Sequence, residues 1–310
     1  MLSYCNMTWF FIALGAPFLW ALVNISDQYL VEHYSKGEHG SGGLVLFSSL
    51  IGVFVALIIP FFTVGVFDIS FIDKLLLIST GGLSIAWIIL YLFTLEIEDV
   101  SAVVPWFLTV PIFGYILGFV FLGETLTMNQ MIGSAIVLLG VAIISIDFTA
   151  NKRSFKWKPV LYMLSACLMI ALSGVIFKYV TIGENFWVSS FWEYFGLGII
   201  GLFIYIFVPK YRREFTAMNK NGGVRIFVLN TLSEFATIIG NLLTNFALVI
   251  APVTMVYLVG SFQPALVLFI TLFCTKFFPN IVKENISIRV LVPKIIAIGV
   301  MILGSVILFK

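Results

Sequence analysis

Charged side chains are scarce in this sequence. Only 10% of the 310 residues are Asp, Glu, Lys or Arg, whereas 61% are apolar and the mean hydropathy is +1.12. A soluble domain carries about 25% charged and about 45–50% apolar residues. Because so few charges cannot keep the surface of such a chain hydrated, the composition excludes a soluble protein. It predicts a multi-pass protein of the plasma or inner membrane, surrounded by the lipid bilayer.

Residues that build disulfides, metal sites and catalytic centres are also few. The three cysteines lie far apart without a CxxC pair, which excludes a disulfide framework and a zinc site. The two histidines have no clustered partners, and the sequence contains neither HExxH nor GxSxG. We therefore expect no metal, no cofactor and no enzyme activity. The net charge of +2 is spread over loops, so no nucleic-acid partner is expected.

Ten apolar runs are long enough to cross a bilayer as helices, which takes about 20 residues. The connections between them are too short for a nucleotide-binding domain, which excludes coupling to ATP within this chain. The predicted spans cover, approximately, residues 9–31, 44–64, 75–95, 100–122, 128–148, 159–180, 186–208, 225–248, 252–275 and 291–309.

An internal repeat divides the chain. A shift of 153 residues places Pro111 on Pro264, each inside an apolar run, and after a further gap Glu124 falls on Glu284. Proline inside a helix removes a backbone hydrogen bond, so both spans are expected to kink. Because each half has five spans, an odd number, the two copies must be upside down relative to each other. The sequence predicts an all-α polytopic fold of ten transmembrane helices in two inverted five-helix repeats, residues 1–150 and 151–310.

Basic residues are distributed unevenly between the two faces of this arrangement. The loops after spans 1, 5, 7 and 9, with the adjoining span ends, carry 14 of the 17 Lys and Arg residues, against 3 on the other face. The positive-inside rule then places the loop between spans 5 and 6 in the cytoplasm and both termini outside.

Residues 122–127 (LGETLT), followed by Gly133 and Gly140, form the most distinctive pattern in the chain. Together with residues 100–102 (VSA) and Pro111, they resemble the EamA-like transporters of the drug/metabolite transporter superfamily. The resemblance implies export or exchange of small organic solutes without ATP, through a cavity lined mainly by helices 1–4 and 6–9. It also implies cytoplasmic termini, opposite to the charge distribution. The second half lacks the glycine that precedes the glutamate in the first.

Two glutamates lie inside predicted spans. Glu234 shares one face of helix 8 with Asn241 and Asn245, and Glu193 lies about two turns inside helix 7. A charge at the centre of a membrane helix costs about 2.5–3.5 kcal/mol on insertion scales, so it normally faces protein or water. Glu234 therefore either binds substrate or a proton in a cavity, or joins helices as a buried, hydrogen-bonded group.

Aromatic and amide side chains accompany these carboxylates. Helix 1 stacks Trp20, Asn24, Asp27 and Gln28 on one face. Carboxylates among several rings suit an organic cation or an amine-bearing zwitterion such as an amino acid, although each ring could instead be packed or lipid-facing. The predicted substrate-binding residues are Glu234, Glu193, Asn241, Asn245, Trp20, Asn24, Trp87, Tyr91, Trp106, Trp192 and Gln263.

Glu124, Lys178 and a glycine motif have structural interpretations. Glu124 precedes helix 5, where a negative charge favours the N-terminal end of the helix dipole, so we expect it to cap that helix. Lys178 and Lys294 lie at span ends, where each either reaches the headgroups or pairs with a helix carboxylate. Residues 196–201 match GxGxxG inside an apolar span, which predicts close helix packing.

These features predict a secondary transporter that moves a small organic metabolite by alternating access around a cavity near the membrane midplane. The expected partners are the small-molecule substrate, the lipid bilayer, and either a proton or a counter-substrate. Two other classes stay open. A membrane-embedded enzyme acting on lipid would need a nucleophile–base pair or a metal cluster, and a non-transporting scaffold would have a dry interior without a cavity reaching Glu234.

Overall fold

The structure, a computed structural model, describes residues 8–31, 41–98, 103–144, 157–277 and 288–308. Within these ranges every regular element is a helix and there is no strand, which confirms the all-α class. A 3₁₀ helix, Val104–Thr109, precedes the fourth α-helix. The α-helices are α1 Thr8–Leu30, α2 Gly42–Ile58, α3 Phe71–Leu95, α4 Val110–Leu122, α5 Met128–Ile144, α6 Trp157–Thr181, α7 Phe186–Phe207, α8 Pro209–Ile250, α9 Val253–Gly260, α10 Gln263–Phe277 and α11 Ile288–Leu308.

Seven helical stretches of the described chain are long and apolar enough to cross a membrane. They are Thr8–Asp27, Gly42–Phe61, Phe71–Leu95, Trp157–Thr181, Phe186–Phe207, Gly222–Ile250 and Val253–Phe273. Three shorter apolar helices, Trp106–Leu122, Met128–Gly140 and Ile295–Ile307, lie where the other three spans were expected. The multi-pass architecture is therefore confirmed, whereas the count of ten spans stays a prediction.

The two prolines that were expected to kink their spans instead stand at the start of new helices. Pro111 is the second residue of α4, after the 3₁₀ helix, and Pro264 is the second residue of α10, after α9 ends at Gly260. Proline is tolerated in a first turn because its missing N–H would have no helical partner there. The expected spans 100–122 and 252–275 are thus broken into two helical pieces each. Residues 100–102 and Glu284 lie outside the described ranges.

The eighth helix begins earlier than expected, at Pro209 rather than residue 225. Its first part, residues 209–222, buries Glu214 and Met218 and exposes Arg212 and Arg213, a pattern typical of a helix at a membrane surface. The second part, residues 224–250, makes up most of the span-length stretch Gly222–Ile250. Gly223 separates the two with a φ of 60°, a conformation that glycine adopts without a side-chain clash.

The helices of the two halves pack in corresponding pairs. In chain order, α1, α2 and α3 of the first half correspond to α6, α7 and α8 of the second. Under this correspondence the α1–α8 contact matches the α3–α6 contact, and the α3–α7 contact matches the α2–α8 contact. The α2–α7 and α5–α11 contacts each map onto themselves. The core is therefore built from helices of one half packed against helices of the other.

The glycines of the GxGxxG motif lie where α7 crosses α2 and α3. A Cβ atom on Gly196 would be 2.5 Å from the carbonyl oxygen of Ile78, and one on Gly201 would be 2.6 Å from the Cβ of Ser49. Backbones this close leave no room for a side chain, so the prediction of close helix packing is confirmed.

Two carboxylates hold the N-terminus of α2 at one end of the bundle. Glu96, which follows α3, accepts hydrogen bonds from the backbone N–H (2.7 Å) and the hydroxyl (2.6 Å) of Ser41. The buried Glu214 accepts one from the backbone N–H of Gly42 at 3.0 Å. Carboxylates at this position satisfy N–H groups that have no partner within the helix. We call this the Ser41 end of the bundle.

Candidate functional site

A chamber of about 190 Å³ lies in the core between the two halves. Its wall is formed by α1, α2, α3, α4, α6, α7, α8, α9 and the first residue of α10, together with Phe107 of the 3₁₀ helix, and no described residue of α5 or α11 lines it. This is the set of helices that the resemblance implied. Much of the lining comes from the last turns of α1 and α3 and the first turns of α2, so the chamber extends toward the Ser41 end.

Nine of the eleven predicted substrate-binding residues line this chamber. They are Trp20, Asn24, Trp87, Tyr91, Glu193, Glu234, Asn241, Asn245 and Gln263. The agreement has a simple cause, because polar positions recurring every three to four residues fall on one side of a helix and that side faces the interior.

Trp106 and Trp192 were expected in the lining but lie outside it. The indole N–H of Trp192 donates a hydrogen bond to the carbonyl of Val66 at 2.6 Å, and the ring is buried against the aromatic core. Trp106 is half-buried and also packs against the core. The hydrogen bond to Val66 holds the Trp192 ring against the segment that joins α2 and α3, outside the chamber lining.

Glu193 enters the chamber from α7. That helix is capped at its N-terminus by Asn185, whose side chain accepts a hydrogen bond from the N–H of Trp187 at 2.8 Å. Two turns later, the Glu193 carboxylate accepts a hydrogen bond from the side-chain amide of Asn245 on α8, at 2.7 Å. The amide orients one carboxylate oxygen but supplies no positive charge to balance it.

Glu234 enters from α8, between α1 and α2. Its carboxylate accepts a short hydrogen bond from the hydroxyl of Ser48 on α2, 186 residues away in sequence. Sequence reasoning missed Ser48, because a serine in an apolar helix usually bonds to its own backbone and gives no sign of a distant partner. Ser48 supplies a donor but no charge.

Asp27 is a third carboxylate in the chamber wall. It lies 3.5 Å from the hydroxyl of Tyr91, which itself is 3.1 Å from the side-chain oxygen of Asn24. Asp27 is also close enough to Glu234 for the two carboxylates to repel each other. The sequence placed Asp27 in the helix 1 stack but not among the substrate-binding residues.

The chamber is acidic without a compensating base. Three carboxylates line it, and none of its described lining residues is Lys, Arg or His. Charges placed away from water are normally paired or hydrogen-bonded, and inside membranes they mark ion or substrate pathways. An arrangement of this kind can bind a positively charged group between its walls. Among the described residues no cluster of potential metal ligands is found.

The end of the bundle opposite the Ser41 end is tied together by an ion pair. Lys178, at the end of α6, lies 2.6 Å from the Glu124 carboxylate, and their side chains are only 9% and 15% exposed. Lys178 also donates a hydrogen bond to the carbonyl of Ala251 at 2.6 Å, and Glu124 accepts one from the N–H of Val253 at 2.8 Å. We call these four residues the Glu124 cluster.

The Glu124 cluster corrects two expectations. Glu124 was expected to cap α5, which follows it, but its carboxylate caps the N-terminus of α9 instead. For Lys178, the expectation that it reaches the headgroups is wrong, and the alternative of pairing with a carboxylate is confirmed. Both interactions join segments that are distant in sequence. The side chain of Lys294 lies outside the described part of the structure.

Comparison with known proteins agrees with this architecture. The model of the EamA-like transporter family matches residues 7–146, a little under half of the chain, which confirms the resemblance of this part to the drug/metabolite transporter superfamily. A comparison with curated protein sequences finds no match. One solved structure, described only as "Crystal structure of protein", aligns over 97% of this chain and 95% of its own, with a TM-score of 0.62 and 13% identity. At that identity the likeness concerns the fold alone, and it extends over both halves.

Proposed function

We propose that this protein is a secondary transporter of the cell membrane that moves a small organic cation, or an amine-bearing zwitterion such as an amino acid, without ATP. The observation that carries the proposal is the chamber, because Asp27, Glu193 and Glu234 line it and no described lining residue is basic. A positively charged group would balance these carboxylates, and the rings of Trp20 and Trp87 would add cation–π attraction.

The proposed mechanism is alternating access between two inverted repeats, residues 1–150 and 151–310. Two features support it. When α1, α2 and α3 are exchanged for α6, α7 and α8, the set of contacts between these two groups of helices stays the same. The breaks also correspond, since α4 begins at Val110 and α10 begins 153 residues later at Gln263, the shift that relates the two prolines. Inverted repeats of this kind place the substrate site between the halves.

The two ends of the bundle differ in a way that fits one state of such a cycle. The chamber extends toward the Ser41 end, whereas the Glu124 cluster ties α4, α6 and the α8–α9 junction together at the other end. Moving substrate to the opposite side would require these contacts to separate. A proton or a counter-substrate would supply the positive charge that balances the carboxylates while the carrier returns to its first state.

The chamber also bears on the other function classes. A scaffold was expected to have a dry interior without a cavity reaching Glu234, and Glu234 lines a cavity. The sequence allows two interpretations of Glu234, a substrate or proton site and a hydrogen-bonded group that joins helices. Its position in the chamber wall supports the first, although its bond to Ser48 serves the second as well.

The test is transport by the purified protein in proteoliposomes, with substrates first selected by a thermal-shift screen of metabolites. Glu234→Gln keeps the size of the side chain and its acceptor for Ser48 but removes the charge, so we expect coupled transport to be abolished while the fold is kept. Asp68→Asn, which removes an exposed carboxylate outside the chamber, is the control and should transport normally. Unchanged uptake and pH dependence in Glu234→Gln would refute the role of this residue.

A further inference from the structure

The carboxylates of the chamber fall into two separate places. Asp27 on α1 and Glu234 on α8 form an acidic pair, since they are within electrostatic reach of each other and Ser48 and Tyr91 hold them from α2 and α3. Glu193 stands apart on α7, held by Asn245. The chamber therefore has an acidic pair toward the Ser41 end and a single acidic group toward the middle of the bundle.

The separation between these places follows from α8. Glu234 and Asn245 lie on one face of this helix, eleven residues apart, which corresponds to about 16 Å along the axis. An ammonium group pairs with a carboxylate only within about 4 Å. Even when the side chains lean toward each other, one ammonium group cannot contact both Glu234 and the carboxylate that Asn245 holds.

One side of the wall between the two places suits a hydrocarbon linker, whereas Thr237 and Asn241 of α8 add a hydroxyl and an amide on another side. Tyr194, the residue after Glu193 on α7, also lines the chamber and is within electrostatic reach of both Glu193 and Glu234. Across the chamber Trp87, Tyr91 and Phe107 form an aromatic cluster with ring centroids 5.8–6.4 Å apart. No described residue of the lining adds a positive charge anywhere along this wall.

We propose that the preferred substrate is a linear diamine, with one ammonium group bound between Asp27 and Glu234 and the other bound by Glu193. This inference rests on the proposed function, and it names the cargo of the same chamber. The first ammonium group would relieve the repulsion between Asp27 and Glu234, and the second would balance Glu193. The methylene chain would lie along the aromatic wall, where a polar linker would lose its contacts with water.

The test compares ligands of equal length that differ by one ammonium group. The full chain, purified in nanodiscs, is titrated calorimetrically with diaminobutane, diaminopentane, diaminohexane and diaminooctane, and with the monoamine and diol of each length. We expect at least one diamine to bind about tenfold tighter or more than its monoamine, with an optimum in chain length and no binding of the diol. Equal affinities for diamines and monoamines at every length would overturn the inference.

Two substitutions at Glu193 sharpen the test. Glu193→Gln should reduce diamine affinity to that of the monoamine, while leaving monoamine binding at the acidic pair. Glu193→Asp keeps the charge but withdraws it by one methylene, so the preferred diamine should become one methylene longer. Asp68→Asn should change neither affinity nor length preference. If the optimum length is the same in Glu193→Asp as in the native chain, Glu193 does not bind the second ammonium group.

The outcome also separates this inference from the proposed function. Transport of monoamines or amino acids without a preference for diamines would overturn the diamine inference and leave the transporter proposal standing. Length-dependent binding of diamines without transport in proteoliposomes would uphold the assignment of the two acidic places and refute the transporter proposal.

Discussion

Breaking the ion pair of the Glu124 cluster should destabilise the protein strongly. We consider Glu124→Gln, which keeps an acceptor for the N–H of Val253 but leaves the Lys178 ammonium without a counter-charge, and Lys178→Met, which leaves Glu124 unbalanced. The pair is 2.6 Å apart and its side chains are 9% and 15% exposed, so the small values typical of surface pairs do not apply.

The magnitude can be bounded in two ways. Unit charges about 4 Å apart interact by about 4 kcal/mol at an effective dielectric constant of about 20. Removing one partner of a buried pair costs about 3–5 kcal/mol in measured cases, much of it the desolvation of the charge left behind. We therefore expect each single substitution to lower the free energy of unfolding by about 3 kcal/mol. The double variant should lose much less than the sum, because it buries neither charge, giving a coupling of about 2–3 kcal/mol.

The measurement is reversible unfolding in mixed micelles, followed by tryptophan fluorescence, for the native chain, both single variants and the double variant. Lys210→Met is the matched control, since Lys210 is 72% exposed and 3.8 Å from Glu214, and it should change stability by less than about 1 kcal/mol. Additive effects of Glu124→Gln and Lys178→Met would refute the pairing. So would a loss at Lys178→Met no larger than the loss at Lys210→Met.

Two further predictions concern packing and orientation. Gly196→Ala places a methyl group about 2.5 Å from the Ile78 carbonyl and should lower the free energy of unfolding by about 1–3 kcal/mol. Gly299→Ala, the control on α11, meets open space and should not be destabilising. Comparable losses of stability in both variants would contradict the packing argument. Reporter fusions within residues 152–158 should report a cytoplasmic location, as the distribution of basic residues predicts, and an external signal would reject that orientation.

The parts of this fold that sequence alone predicts are those that depend on local pattern. Apolar runs and helical spacing placed Glu234, Asn241 and Asn245 on one face of α8, and that face lines the chamber. The same reasoning did not place Trp192, whose indole N–H donates to the carbonyl of Val66 in the segment between α2 and α3. That contact joins residues 126 positions apart, and the local pattern on α7 gives no sign of it.

Contacts between distant segments were the part that sequence could not supply. Ser48 bonds to Glu234 across 186 residues, and Lys178 reaches both Glu124 and the carbonyl of Ala251. A lysine at a span end has the same local sequence whether it reaches lipid headgroups or a buried carboxylate. Which of the two occurs depends on whether another helix end brings an acid and unpaired backbone groups to the same place, and spacing along one chain does not encode that.

Asp27 shows how one such contact changes the functional interpretation. Its spacing from Trp20 and Asn24 placed it on the polar face of helix 1, but a carboxylate close to a span end is ordinarily solvated, so nothing local distinguished it. The packing of α1 against α8 brings it to Glu234 and turns two isolated acids into an acidic pair with a third acid further along the chamber. Two carboxylates alone would be satisfied by one amine and one proton. A pair and a distant single group instead favour a cargo that carries positive charge at both ends.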